Sequence, residues 1–161
     1  KYPAIDPIIS WSKYKSVLPE SWVNYARKVY LSGVEVNQMM KVVGEEGTST
    51  EDFIVYLKSE FLDAVYMQQN SFDDVDAAVS VERQKYVFKK VVEVLGAQFE
   101  LNEKDEARTY FNQLRQLFQD WNYTPWKEDK FNSIESQIKE LYSSKNGKVD
   151  SQFEAMLKDG E

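Results

Sequence analysis

Apolar positions return at helical spacing through most of the chain, and strand-like alternation is absent beyond the first few residues. Trp22, Ala26, Val29 and Tyr30 fall at i, i+4, i+7 and i+8 and mark one face of a helix that begins at Pro19. Gly33 interrupts that stripe. Val36, Met39, Met40 and Val43 predict a further short helix, with the methionines as core filler and Gly44 as a left-handed cap. Ile54, Leu57, Phe61 and Val65 stripe a helix over Glu51–Met67, and Val81 opens another that carries Phe88, Val91, Val92, Leu95 and Phe99. Ala107, Tyr110, Phe111, Leu114, Leu117, Phe118 and Trp121 form the most regular amphipathic run, and its shortness of connection to the helix before it predicts an antiparallel pair. Phe131, Ile134, Ile138 and Leu141 stripe a helix begun by Thr124-Pro125, and Asp150 caps a last short one holding Phe153, Met156 and Leu157. The expected fold is all-α, a bundle of about six to eight helices.

Two interruptions stand out from these stripes. Gly44-Glu45-Glu46-Gly47-Thr48-Ser49-Thr50-Glu51-Asp52 reads as a solvated turn, with Ser49 or Thr50 capping the helix that follows. Glu51 and Asp52 lie in that helix's first turn, where the macrodipole favours negative charge. The second interruption is Gln68–Asp76, polar and acidic around a lone Phe72, with Ser80 as the cap of the next helix. By residue type Phe72 either folds back on the core or presents its ring to a flat partner. Asp73, Asp74 and Asp76 lack the spacing of a calcium loop and read as capping and solvating acids.

Composition narrows the chemistry. At 161 residues the chain suits one domain, and no apolar run is long enough to span a bilayer. With no cysteine and no histidine, thiolate and imidazole metal sites and His-based triads are excluded. A net charge of −7 argues against a nucleic-acid partner. There is no G-x-x-x-x-G-K-[ST] loop to wrap a phosphate chain. Asn122-Tyr123-Thr124 fits a glycosylation sequon, with no secretory signal to give it meaning.

Gln68–Asp76 followed by Ser80, Glu82 and Gln84 resembles the corresponding box in the C-terminal helical domain of the catalytic A subunit of V/A-type rotary ATPases. Tyr2-Pro3-Ala4-Ile5-Asp6 resembles a phrase shared by rotary ATPase catalytic subunits; Tyr2 and Asp6-Pro7 lean toward its F-type spelling, while Ser10–Tyr14 is similar to the A-type S-[YW]-S-x-Y. The resemblance implies that Phe72 and Tyr2 line the two sides of an adenine pocket. It also implies that the acidic turn, with Glu45, Glu46, Glu51 and Asp52, contacts a central rotor stalk. ATP or ADP with Mg2+ would be bound in the intact enzyme, whose catalytic and magnesium-binding residues lie upstream of Lys1, so this piece alone is expected to be inactive. The implied partners are the B subunits of the catalytic hexamer and the central stalk, and the implied setting is cytoplasmic, peripheral on the membrane through the assembled ATPase, with transport of protons or sodium ions.

The expected division is residues 1–7 as the end of a nucleotide-binding domain, 8–121 as the family's helical bundle, and 122–161 as a helical extension packed on it. Two other readings remain: a helical protein-interaction module without nucleotide binding, or the C-terminal domain of a related F-type or B-type subunit.

Overall fold

A computed structural model describes residues 18–67, 77–122, 124–125 and 128–160. Among them are six α-helices: α1 (Glu20–Val43), α2 (Thr50–Leu62, continued by a π-helical turn, Asp63–Met67), α3 (Ala77–Gly96), α4 (Lys104–Asn122), α5 (Asp129–Ser144) and α6 (Ser151–Asp159). The described residues contain no strand, only an isolated antiparallel bridge between Gln98 and Lys148. The all-α expectation therefore holds. The helix expected after Asp6-Pro7 lies outside the described residues.

The principal departure is α1, which is one helix of 24 residues where two were expected. Gly33 does not break it. A Cβ there would lie 2.1 Å from Ser59 Oγ and 2.2 Å from Ser59 Cβ, so the glycine is where α1 and α2 touch. The intrinsic penalty of glycine in a helix, about 1 kcal/mol, is offset by that close packing along the pair. At its end Gly44 takes φ 83 and donates its N–H to the Met40 carbonyl at 2.8 Å, as a terminating glycine should, although its ψ of 163 is extended rather than helical. Met40 packs on the core, but Met39 is 40% exposed, so the core-filler reading holds for only one of the two.

Two other expected caps fall elsewhere. Ser80 lies inside α3, which already begins at Ala77 because Ala77 and Ala78 are good helix formers. Thr124 does not start α5; its hydroxyl donates to the Trp121 carbonyl at 2.7 Å and satisfies the end of α4. The caps at Ser49, which accepts from the Asp52 N–H, and at Asp150, which accepts from the Phe153 N–H, are as expected.

Helices α1 and α2 pack along their length, α4 lies across α2, and α5 lies on α4. The start of α3 meets the end of α4, the sense expected of an antiparallel pair, although the close backbone neighbours of α4 are α2 and α5. Large rings fill the space. Phe61 meets Phe118 edge-on at 5.1 Å and Phe111 at 6.4 Å, and Trp121 continues the line to Phe118 and Phe131. Such pairs contribute about 0.5–1.5 kcal/mol each beyond their burial.

The last helix closes the bundle against the first. Trp22 is fully buried, and its Nε1 donates to the Met156 carbonyl of α6 at 3.3 Å. The Phe153 ring sits edge-on to Tyr25 and over Gly96, where a Cβ would come within 2.2 Å of it. Asn146, at φ 52, turns the chain between α5 and α6, and Lys148 then pairs with Gln98.

Candidate functional site

Of the candidate residues, Tyr2 and Phe72 lie outside the described residues, as do Asp73, Asp74 and Asp76. The acidic turn is described in full. It joins α1 to α2 as a tight hairpin in which Gly47 N–H donates to the Gly44 carbonyl and Thr48 N–H to the Glu45 carbonyl. The Thr48 side chain is the buried pin, donating from Oγ1 to the Gly44 carbonyl at 3.0 Å.

The four acids of this turn are not equivalent. Glu45 accepts from Arg108 of α4 at 2.7 Å, and its carbonyl accepts from Lys104 at 2.6 Å. Arg108 is also bonded to Asp105 at 2.7 Å, and its guanidinium lies 5.1 Å from the centre of the Phe53 ring. The hydrogen bond that Arg108 donates to Glu45 raises the Arg108 pKa above its ordinary value, more than the other charges around it do. Glu46 and Glu51 are exposed, and Asp52 is half-buried at the head of α2. Beside them the end of α1 leaves Val42 84% and Val43 51% exposed. The tip of the hairpin is thus an apolar ridge edged with acid, braced from behind by two cations of α4.

Sequence reasoning missed Lys104 and Arg108. No signal in the sequence pointed to them, because Asp105 and Glu106 in the same turn already balance their charge.

A second junction flanks residues 68–76. Asn122, at the end of α4, donates from Nδ2 to the Val65 carbonyl of the π-helical turn at 3.2 Å. Arg83 of α3 donates to the Trp121 and Asn122 carbonyls at 3.0 and 2.8 Å, and its guanidinium stands 5.6 Å from the centre of the Phe131 ring. Burial lowers the Arg83 pKa from its usual value. The π-helical turn Asp63–Met67 ends the described part of α2.

No group of three metal-binding side chains occurs among the described residues. A groove of about 540 Å³ between α4 and α5 is lined by Gln113, Gln116, Leu117, Gln137, Glu140 and Leu141, with Ser144 at its end. No cation lines it, so nothing there would neutralise a phosphate.

Residues 14–110 match the family described as the C-terminal domain of V and A type ATP synthase. The chain belongs to that family. It is 56% identical over 98% of its length to the V-type ATP synthase alpha chain of Treponema denticola. It is 54% identical over 90% of its length to the V-type ATP synthase alpha chain of Borrelia turicatae, and 52% identical over the same share to that of Borreliella burgdorferi. It spans about a quarter of the length of these relatives: 27% of the first and 25% of the other two. No solved structure matches it. No helix among the described residues is long and apolar enough to cross a membrane.

Proposed function

We propose that this domain is the C-terminal part of a catalytic A subunit that couples ATP hydrolysis or synthesis to proton or sodium transport. The observation that carries the reading is the 56% identity to an ATP synthase alpha chain over 98% of the chain. In the intact enzyme ATP or ADP binds with Mg2+ on residues outside this stretch, and this domain supplies the adenine side, with Tyr2 and Phe72 against the base. Its hairpin meets the central stalk, the B subunits flank it in the catalytic hexamer, and the whole is peripheral to the membrane.

A ring stacked on a purine contributes about 1–3 kcal/mol. The base is unchanged during hydrolysis, so this is binding shared by substrate and transition state, and it acts on affinity rather than on the chemical step. In the assembled enzyme Phe72→Ala is expected to raise KM for ATP and leave kcat within a few-fold. A wild-type KM in a folded variant rejects the adenine role.

For the hairpin, the bracing of Glu45 divides the acids into two groups. Glu46→Ala, Glu51→Ala and Asp52→Ala together remove charge from the contact and leave the Glu45–Arg108 pair in place. The expected result is poorer coupling of ATP turnover to ion pumping. Unchanged coupling excludes an electrostatic role for those acids at the stalk.

A further inference from the structure

Helix α6 has nine residues, too few to hold a helix in water without tertiary contacts. Two glycines make the seats that support it. The Phe153 ring lies over Gly96 at the end of α3, where a Cβ would come within 2.2 Å of the ring, and it stands edge-on to Tyr25 of α1 at 4.8 Å. In return Gly160, just past the end of α6, lies against the Trp22 indole of α1, and a Cβ there would come 2.5 Å from Cε2 and Nε1. Neither glycine has a positive φ, so what each position excludes is the bulk of a side chain.

The fastening of α6 in these seats is mostly apolar. Leu157 is buried, and Phe153 and Met156 pack on the core. Trp22 Nε1 adds a hydrogen bond of 3.3 Å to the Met156 carbonyl, one of the last carbonyls of α6. Among the described residues no ion pair links α6 to another helix. The connector that precedes α6 is held differently. Lys148 and Gln98 exchange main-chain bonds of 2.8 and 3.2 Å, Glu100 N–H donates to the Lys145 carbonyl at 2.8 Å, and Lys145 Nζ donates to Glu106 at 2.7 Å. Asn146, at φ 52, makes the turn between these anchors. The polar ties to the bundle thus stop at Lys148, and the helix beyond is held chiefly by shape.

The place of the seats decides what such a helix can do. Trp22 lies in the first turn of α1, which runs unbroken from Glu20 to Val43 and ends at the acidic hairpin. A helix of 24 residues is about 36 Å long. The seats fasten one end of that rod to the end of α3, and the hairpin is at the other. We infer that α6 is a releasable strap: it swings out as a unit about the link from Lys148 to Asp150, and when seated it fixes the base of α1 so that the helix carries load from the hairpin without tilting. Short elements with few buried side chains are the ones that open first in a folded protein. The load-bearing half of the inference rests on the stalk reading of the hairpin, and the release half stands without it.

The experiment uses the assembled ATPase carrying this chain, as the parent, as Gly96→Ala, as Gly160→Ala, and with a chain that stops after Val149 and so lacks α6. Each glycine variant puts one methyl group into a seat and leaves the residues of helix α6 as they are. In the parent, hydrogen exchange should show residues 151–159 opening together, faster than the buried turns of α2 and α4. Gly96→Ala and Gly160→Ala should each speed that exchange several-fold and leave α4 unchanged. Exchange in α6 no faster than in α4 in the parent, parent-like exchange in α6 of either glycine variant, or equal acceleration of α6 and α4 overturns the strap.

Ion pumping reads the load-bearing half. Gly160→Ala is expected to leave kcat for ATP within about twofold and to lower the ions moved per ATP, and the chain that stops after Val149 should lower them at least as far. Loss of kcat in parallel with pumping in Gly160→Ala means a damaged enzyme rather than a slack rod, and overturns that half. Full coupling without α6, where the joint Glu46→Ala, Glu51→Ala and Asp52→Ala variant loses coupling, overturns the load-bearing role and leaves the stalk reading standing. Full coupling in both overturns the stalk reading together with the role built on it.

Discussion

Lys58 Nζ donates a 2.8 Å hydrogen bond to the Ala97 carbonyl, joining the middle of α2 to the end of α3. No carboxylate pairs with it among the described residues, and burial lowers its pKa from 10.5 to about 8. Below that value the folded and unfolded chains both carry the charge, and folding bears the full desolvation penalty. Between about 8 and 10.5 the unfolded chain still binds a proton that the folded chain has released. Stability contributed by this group therefore rises with pH across that interval. Lys58→Met is expected to stabilise the domain at pH 7 by about 1–2 kcal/mol: relief of a shift worth at most about 3, less about 1 for the lost bond. Urea unfolding at pH 7, 8 and 9 checks this, and the variant should flatten the rise seen in the parent.

Tyrosines set the upper limit of that rise. Burial raises the pKa of Tyr25, Tyr56, Tyr86, Tyr110 and Tyr142 above 10, in Tyr86 to about 12 with Glu135 adding to the effect. Above pH 10 the unfolded chain loses these protons first, so stability falls as pH climbs further. The domain should be most resistant to urea near pH 9–10. A midpoint that declines steadily from pH 7 upward contradicts the assignment.

Gly33 faces Ser59 too closely for any side chain. Gly33→Ala should lower stability by about 1–3 kcal/mol, as overpacking does, in spite of the better helix propensity of alanine. The same change combined with Ser59→Gly should recover much of the loss, because the space is then shared out afresh. Thermal unfolding of the two variants measures it.

Arg108 and Glu45 are each nearly half exposed, and exposed pairs contribute little to global stability, about 0–1 kcal/mol. Arg108→Ala should accordingly leave the urea midpoint almost unchanged. Its effect should be local: faster hydrogen exchange at residues 45–48, with Glu45→Gln giving the same pattern and the double variant no more. Equal protection in the variant and the parent means that Thr48, Lys104 and the turn's own main-chain bonds hold the hairpin without Arg108.

The striped helices were legible because burial of one face imposes a period, and α4 shows it plainly: Ala107, Tyr110, Phe111, Leu114, Phe118 and Trp121 are all buried. Caps were legible where the side chain serves the residue three ahead, as at Ser49 and Asp150. Gly33 misled because a glycine permits both a break and a close approach, and only the partner helix decides between them. Thr124 misled for a related reason, since a hydroxyl between two helices can serve either one. The brace from Arg108 to Glu45 spans 63 residues, and no periodic pattern connects positions so far apart. The family, read from the boxes around Phe72 and Tyr2, is borne out by the comparison with alpha chains. The pocket role of Phe72 is decided by the KM of its alanine variant.

The bond from Trp22 to Met156 joins residues 134 apart. Helix α1 and helix α6 leave the ribosome at opposite ends of this domain's synthesis, so the indole of Trp22 has no lid until the final helix emerges. Contacts of such long range slow folding. During translation the nascent bundle must wait with a greasy seam open, and that interval is when it would most need a chaperone.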